Sequence, residues 1–391
     1  MSWRTKRLDE CVDFLSGGTP NKEKAEYWGG DIPWVTSAEM TERLLKETSL
    51  KITNAGLEAG SRLVPGGTTF AVVRGMSLAK QFRISLAQRA MAFNQDVKAL
   101  IPRPGIDGQF IFYSLSAHAK AIRNLTTEAA HGTKKLEMSR FGSYSIKVPD
   151  DINLQQAVAS VAHAYDDLIA TNQRRIALLE DAARRLYREW FVHLRFPGHE
   201  LVPVKDGVPE GWQRDSLDRA LFLQRGFDLP NGCRVPGDVP VYASTGINGL
   251  HNEAKAIGPG VVTGRSGTLG QVHYITKDFW PLNTSLWVKE FRGVSPLVAY
   301  FLLQELKLDQ FNSGASVPTL DRKTVHQAPV LLPSRSIVEQ FDAKVQPFFD
   351  QIDNLKLSIE ATSKARDLLL PKLMSGQLDV SGIPLPEEMA S

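Results

Sequence analysis

The chain has 391 residues, 42% hydrophobic and 23% charged, with a formal net charge of +3 and two cysteines. That balance excludes a disordered chain or a fibre and allows two or three domains of ordinary size. Cys11 and Cys233 stand far apart, outside any CxxC spacing, which excludes a cysteine-built zinc cluster and a disulfide scaffold. No run approaches the roughly 18 apolar residues of a membrane span, and the polar start through Trp3, Arg4, Lys6 and Arg7 has no leader-like apolar core. The expected setting is a reducing cytoplasm, away from any membrane.

Two segments rich in Gly, Pro and β-branched runs alternate with two helical ones. Residues 1–150 and 212–333 read as mixed α/β segments, 151–195 and 334–376 as long helices, 196–211 as a Pro/Gly-rich connector and 377–391 as a tail. In the first helix an apolar seam runs Leu154, Val158, Val161, Tyr165 and Leu168, skips polar Asn172, and continues Ile176, Leu179, Ala183, Leu186 and Trp190. The steps of three and four predict a coiled-coil face, with a stutter at Asn172. In the second helix Val345, Phe348, Ile352, Leu355, Ile359, Thr362, Arg366, Leu369 and Leu373 keep the period. Pro347 is expected to kink or restart that helix, and Pro371 with Gly376 to end it. Roughly 40 residues at about 1.5 Å each reach about 60 Å, more than a globular core needs and suited to a spacer.

The halves repeat. Trp3, Leu8 and Asp9 recur as Trp212, Leu217 and Asp218; Ser37 recurs as Ser244, and Phe70 to Val73 before Arg74 as Val261 to Thr263 before Arg265. Leu136, Pro149 and Gln156 then match Leu320, Pro333 and Gln340, and Asn172 and Arg184 match Asn354 and Arg366. Residues 1–148 carry 21 Lys+Arg against 14 Asp+Glu, and residues 212–333 carry 12 against 10. The positive excess therefore lies in the mixed segments, as a polyanion-facing surface requires.

Several stretches resemble the specificity subunits of type I restriction-modification systems. These are Gly17-Gly18-Thr19-Pro20 with Tyr27 to Trp34, Leu186 to Phe191 leading through Arg195-Phe196-Pro197-Gly198 to Val208-Pro209-Glu210-Gly211-Trp212, Leu332-Pro333 with Glu339-Gln340, and Leu369 to Gly376. The pattern departs where Gln155-Gln156 stands in place of Glu339-Gln340. The resemblance implies two repeated α/β target-recognition domains separated by two long helices that form an antiparallel coiled coil, with a pseudo-two-fold relation between the halves. It implies a non-catalytic subunit that reads a bipartite double-stranded DNA target and scaffolds two methylation and two restriction subunits, in a bacterial or archaeal cytoplasm. S-adenosylmethionine, ATP and Mg²⁺ belong to those partners, and no cofactor is expected in this chain.

Neither Asn-Pro-Pro, Asp-Pro-Pro nor a Gly-Lys pair occurs, so no methyltransferase tetrapeptide or Walker loop is expected. Gly264 to Gly270 runs into a strand-like stretch and reads as a Gly-rich hairpin. Two rival readings are a metal-dependent nuclease, from Asp238 with Glu253-Ala254-Lys255, and a coiled-coil adaptor that binds only protein. Scattered histidines suggest no metal site. For DNA contact the candidates are basic residues beside small or hydroxyl residues in expected loops. In the first half they are Arg74, Ser77, Lys80, Arg83, Thr133, Lys134, Lys135 and Arg140; in the second, Arg225, Arg265, Ser266, Thr268, Ser316, Arg322 and Lys323.

Overall fold

The computed structural model describes residues 2–128, 133–314 and 317–380. The chain forms two compact units, one from residues up to 173 together with those from 356 onward, the other from residues 174–355.

In the first unit the apolar run Thr69–Val72 is buried on both faces, which suits the middle of a covered sheet. It lies in a five-stranded sheet ordered Val12–Ser16, Val97–Pro102, Thr69–Val72, Ile84–Ala87 and Leu44–Leu45, antiparallel except for the last pair. Helix Gly108–Ala117 shares its core, and the Asp107 side chain starts that helix by accepting from Phe110 N–H at 2.7 Å. Trp3–Arg7 pairs with Ser145–Pro149, Trp3 opposite Pro149.

The second unit repeats this order. Its sheet runs Leu221–Arg225, Ser285–Phe291, Gly260–Gly264 and Val272–Ile275. Ser295 caps helix Pro296–Glu305 by accepting from Val298 N–H at 3.2 Å. Gln213–Ser216 pairs with Pro329–Leu332. Both halves thus share the edge pairing and the helix cap, while the second sheet has four strands to the first's five and a register shift between Phe222 and Leu223.

The long helices span Ile152–Tyr187, continued by a π turn at Arg188–Val192, and Arg335–Met374. Within the first unit they run antiparallel, since Asp166 meets Arg366 and Asn172 meets Ser358. Within the second, Tyr187 and Trp190 meet Phe341.

The buried stripe corrects the expected seam. It runs Gln155, Ala159, Ala162, Asp166, Ile169, Asn172, Ile176, Leu179, Ala183, Tyr187 and Trp190, with Ile169, Ile176 and Leu179 half-buried, successive steps of three from Asp166 to Asn172 and successive steps of four from Leu179 to Tyr187. Leu154 and Val158 are buried in the first unit's core, Val161 and Tyr165 are half-buried, and Leu168 is 47% exposed. Apolar spacing alone misplaces the stripe because Asp166 and Asn172 are buried polar residues with partners. On the second helix Val345, Ile352, Leu355 and Leu373 are buried, and Phe348, Ile359 and Leu369 half-buried. Ile176, Leu179 and Leu186 are half-buried on the first.

Pro347 neither kinks nor restarts the second helix, which is unbroken across it. Pro347 and Ala343 are both exposed, so the carbonyl that loses its N–H partner faces water. Pro371 also lies within the helix, which ends past Met374. Gly376 at φ +72° donates its N–H to Leu373 C=O at 3.2 Å, and Gln377 N–H bonds Lys372 C=O at 3.0 Å. These are the two bonds of a Schellman stop. A Cβ on Gly376 would stand 2.6 Å from the Trp3 indole. Gly376→Ala is therefore expected to destabilise the protein by at least about 1 kcal/mol, from the left-handed backbone penalty alone. A lowered denaturant midpoint at unchanged slope is the measurement that checks it.

Candidate nucleic-acid interface

In the first unit Arg74 and Gly75 leave the central strand and pair with Lys135 and Lys134, which pair in turn with Thr127 and Glu128. The two lysines thus lie on a short strand, not in a loop. Adjacent strand residues face opposite sides, so only Lys135 shares a face with Arg74. Lys134 ion-pairs with Glu128 at 3.2 Å and Lys135 with Glu137 at 3.3 Å, whereas Arg74 is exposed and meets no carboxylate among the described residues. Thr133 precedes the strand half-buried, and Arg140 is exposed on helix Met138–Gly142.

Ser77 stands on the short turn Met76–Ala79 with a buried, unpartnered hydroxyl. Lys80 follows it, and Arg83 donates to Ser37 C=O at 3.0 Å. Lys80 and Arg83 line a cleft of about 390 Å³ with Lys120 and Arg123, whose guanidinium bonds Lys80 C=O at 2.7 Å. The sequence reading missed Lys120 and Arg123 because they sit on helix Ala119–Arg123, where a surface charge carries no local signature.

In the second unit Arg225, Arg265 and Arg322 converge on a cleft of about 510 Å³ with Ser313, Thr319, Asp321 and Thr324. Arg225 ends the edge strand. Arg265 follows the central strand, its guanidinium donating to Asn283 C=O at 3.3 Å. Arg322 opens helix Arg322–His326 and lies over the Phe222 ring at 5.4 Å. Asp321 caps that helix by accepting from Lys323 and Thr324 N–H, and the Thr324 hydroxyl holds its carboxyl below the usual range. Lys323 is exposed, Ser266 bridges Thr319, and Thr268 is half-buried in a hairpin that joins Gly260–Gly264 to Val272–Ile275. Ser316 lies outside the described residues.

Strand pairing corrects the repeat by one position. Leu136 N–H bonds Val73 C=O, and its repeat partner Leu320 bonds Arg265 C=O. Arg265 therefore corresponds to Val73, and Arg74 to Ser266. Gly75 then matches Gly267, both at positive φ, with their missing Cβ positions facing Ser37 and Ser244. The two halves keep one backbone design and place different side chains on it.

Beside this cleft His326 Nε2 accepts from Leu223 N–H at 3.0 Å, which requires a neutral ring. Burial pushes its pKa below 6.5, with Arg322 and Arg292 adding to the shift and Asp218 opposing it. Below pH 6.5 the unfolded chain takes up a proton that the folded chain resists, so stability is lost as pH falls through that region. A fall in denaturant midpoint between pH 7.5 and 5.5 that His326→Gln flattens is expected.

The nuclease reading finds no support. Lys255 is bonded to Glu253 at 2.7 Å and lies over the Trp280 ring at 5.0 Å. Among the described residues no three His, Cys, Asp or Glu side chains gather as metal ligands.

Residues 1–181 match the family described as "Type I restriction modification DNA specificity domain". The chain is 25% identical to the type I restriction enzyme MjaIX specificity subunit of Methanocaldococcus jannaschii, over 97% of this chain and 94% of that one. It is 29% identical to the EcoR124I/EcoR124II specificity subunit of Escherichia coli, over 43% of this chain and 41% of that one. Over its first 181 residues this chain is thus similar to the type I restriction-modification specificity subunits. The crystal structure of the S subunit from M. genitalium shares the fold, at TM-score 0.60 and 17% identity over 96% of each chain.

A DNA-reading role calls for cationic and hydrogen-bonding groups on rigid supports, and Arg74 with Lys135 meets that need. Lys135→Ala is expected to weaken binding to all sequences alike and to lower the salt slope by about one charge, with Lys134→Ala weaker in effect. Titrations with random duplexes at several salt concentrations check this. Equal losses from both substitutions would contradict the two-sided strand.

Proposed function

We propose that the subunit reads a split duplex target, one half with residues 1–150 and the other with residues 212–333, and carries out no chemical step itself. The observation that supports this is the duplicated turn after each central strand, with Gly75 and Gly267 alike and Arg74 and Ser266 different. An identical scaffold presents different donors in each half, as two unlike half-sites demand. Arginine matches the two acceptors of guanine, whereas a serine hydroxyl suits several bases. The clefts holding Lys80, Lys120 and Arg123, and Arg225, Arg265 and Arg322, supply phosphate contacts beside these turns.

In this reading the paired helices set the spacing between half-sites. The subunit joins two methylation subunits and, in the complete enzyme, two restriction subunits, in the cytoplasm of a bacterium or archaeon. S-adenosylmethionine, ATP and Mg²⁺ serve those partners.

Because seven residues make close to two helical turns, a seven-residue insertion keeps the stripe facing its partner. Matched insertions after Ala170 and after Ala361, which lie near the same level of the pair, would add about 10 Å, or about three base pairs of DNA. The methylation pattern of the reconstituted enzyme should then show both half-sites unchanged and a spacer about three base pairs longer. A changed half-site with an unchanged spacer would overturn this reading, as would methyl transfer by the isolated chain.

A further inference from the structure

Asp166 is a carboxylate on the first long helix with 4% of its surface exposed. Arg43 Nε lies 3.1 and 3.0 Å from its two oxygens, the Tyr113 hydroxyl donates at 3.1 Å, and an Arg366 guanidinium nitrogen donates at 2.5 Å. These donors come from separate elements of the first unit. Arg43 precedes the edge strand Leu44–Leu45, Tyr113 belongs to helix Gly108–Ala117, and Arg366 lies on the second long helix. Arg43 also donates to Ser116 at 3.3 Å and lies over the Phe112 ring at 5.0 Å. One carboxylate therefore joins the mixed segment to both helices.

At the corresponding position the second unit uses aromatic packing. Tyr113 stands six residues after its cap Asp107, and Phe301 stands six after the corresponding cap Ser295. Phe301 stacks on Tyr187 at 5.3 Å and meets Phe341 at 6.0 Å. Aromatic packing of this kind tolerates small slips, whereas a buried carboxylate met by charge-assisted hydrogen bonds from separate elements holds one angle and one register. Buried ion pairs add little net stability over an apolar replacement, and their best-attested use is to specify geometry.

We propose that Asp166, with Arg43 and Tyr113, is a positioning residue for target spacing. The hub fixes the angle at which the first mixed segment stands on the helix pair, and so restricts the spacer that the subunit accepts while touching no base. The proposal rests on the split-target reading above.

The test uses the complex with its methylation subunits and duplexes carrying both half-sites at the native spacer or one base pair shorter or longer. Arg43→Gln is expected to keep both half-site preferences and cut the preference for the native spacer by about tenfold. Arg43→Lys should restore part of it, since lysine supplies the charge without the planar fork. Tyr113→Phe removes one hydroxyl from the hub and should give a smaller loss, which keeps the test open where Arg43→Gln yields no folded complex. Folded variants that discriminate spacers as sharply as the wild type would overturn the proposal alone. A wild-type complex indifferent to spacer length would overturn the split-target reading and the proposal with it.

Discussion

The structure depends on one constraint: each long helix must keep a single buried stripe along its length while giving one stretch to each unit. In the second unit Ala183, Tyr187 and Trp190 meet Phe341, Val345 and Ile352 in one apolar cluster. In the first, the stripe passes through Asp166 and Asn172, and polar partners replace hydrocarbon. A charge at such a site is tolerated only because two guanidinium groups and a phenol meet it. Removing any one of them leaves a buried charge short of a partner, a far larger cost than the pair's net contribution.

Repetition extends from the sequence to individual hydrogen bonds. Trp3 lies opposite Pro149, and the register Gln213 to Leu332 carries the same pairing toward Trp212 and Pro333. Asp107 and Ser295 each cap their helix through an N–H three residues on. Conserving the bonds lets the exposed residues after each central strand differ without cost to the sheet. That separation of support from readout is what the proposed split-target reading requires. The departure at Gln155 fits the same view: its amide bonds Asp107 N–H, Gly105 C=O and Pro149 C=O. A glutamate there would have no N–H to offer the two carbonyls.

Charge placement follows a similar division. Arg83 and Arg265 spend guanidinium donors on backbone carbonyls, whereas Arg74 stays exposed beside Lys135. An arginine tied to a carbonyl through one nitrogen holds a turn in shape and keeps its other donors for phosphate; one left in water can also meet a base edge.

The sequence by itself determined the two-fold repeat, the alternation of mixed and helical segments, the Gly376 stop and most of the basic residues at the clefts. These are local or periodic signals, carried by spacing, caps and composition. The tertiary structure alone decided which face of the first helix is buried, that Leu168 is exposed, that Lys134 and Lys135 point to opposite sides, and that Arg74 answers to Ser266. It also decided that Pro347 leaves its helix intact, because its exposed position lets water take the orphaned carbonyl. The reason is common to these cases. A polar residue shows in a sequence only as an interruption of apolar spacing, and whether it is buried depends on partners far along the chain. Arg43 and Arg366 stand more than a hundred residues from Asp166 on either side, and only folding brings them to it.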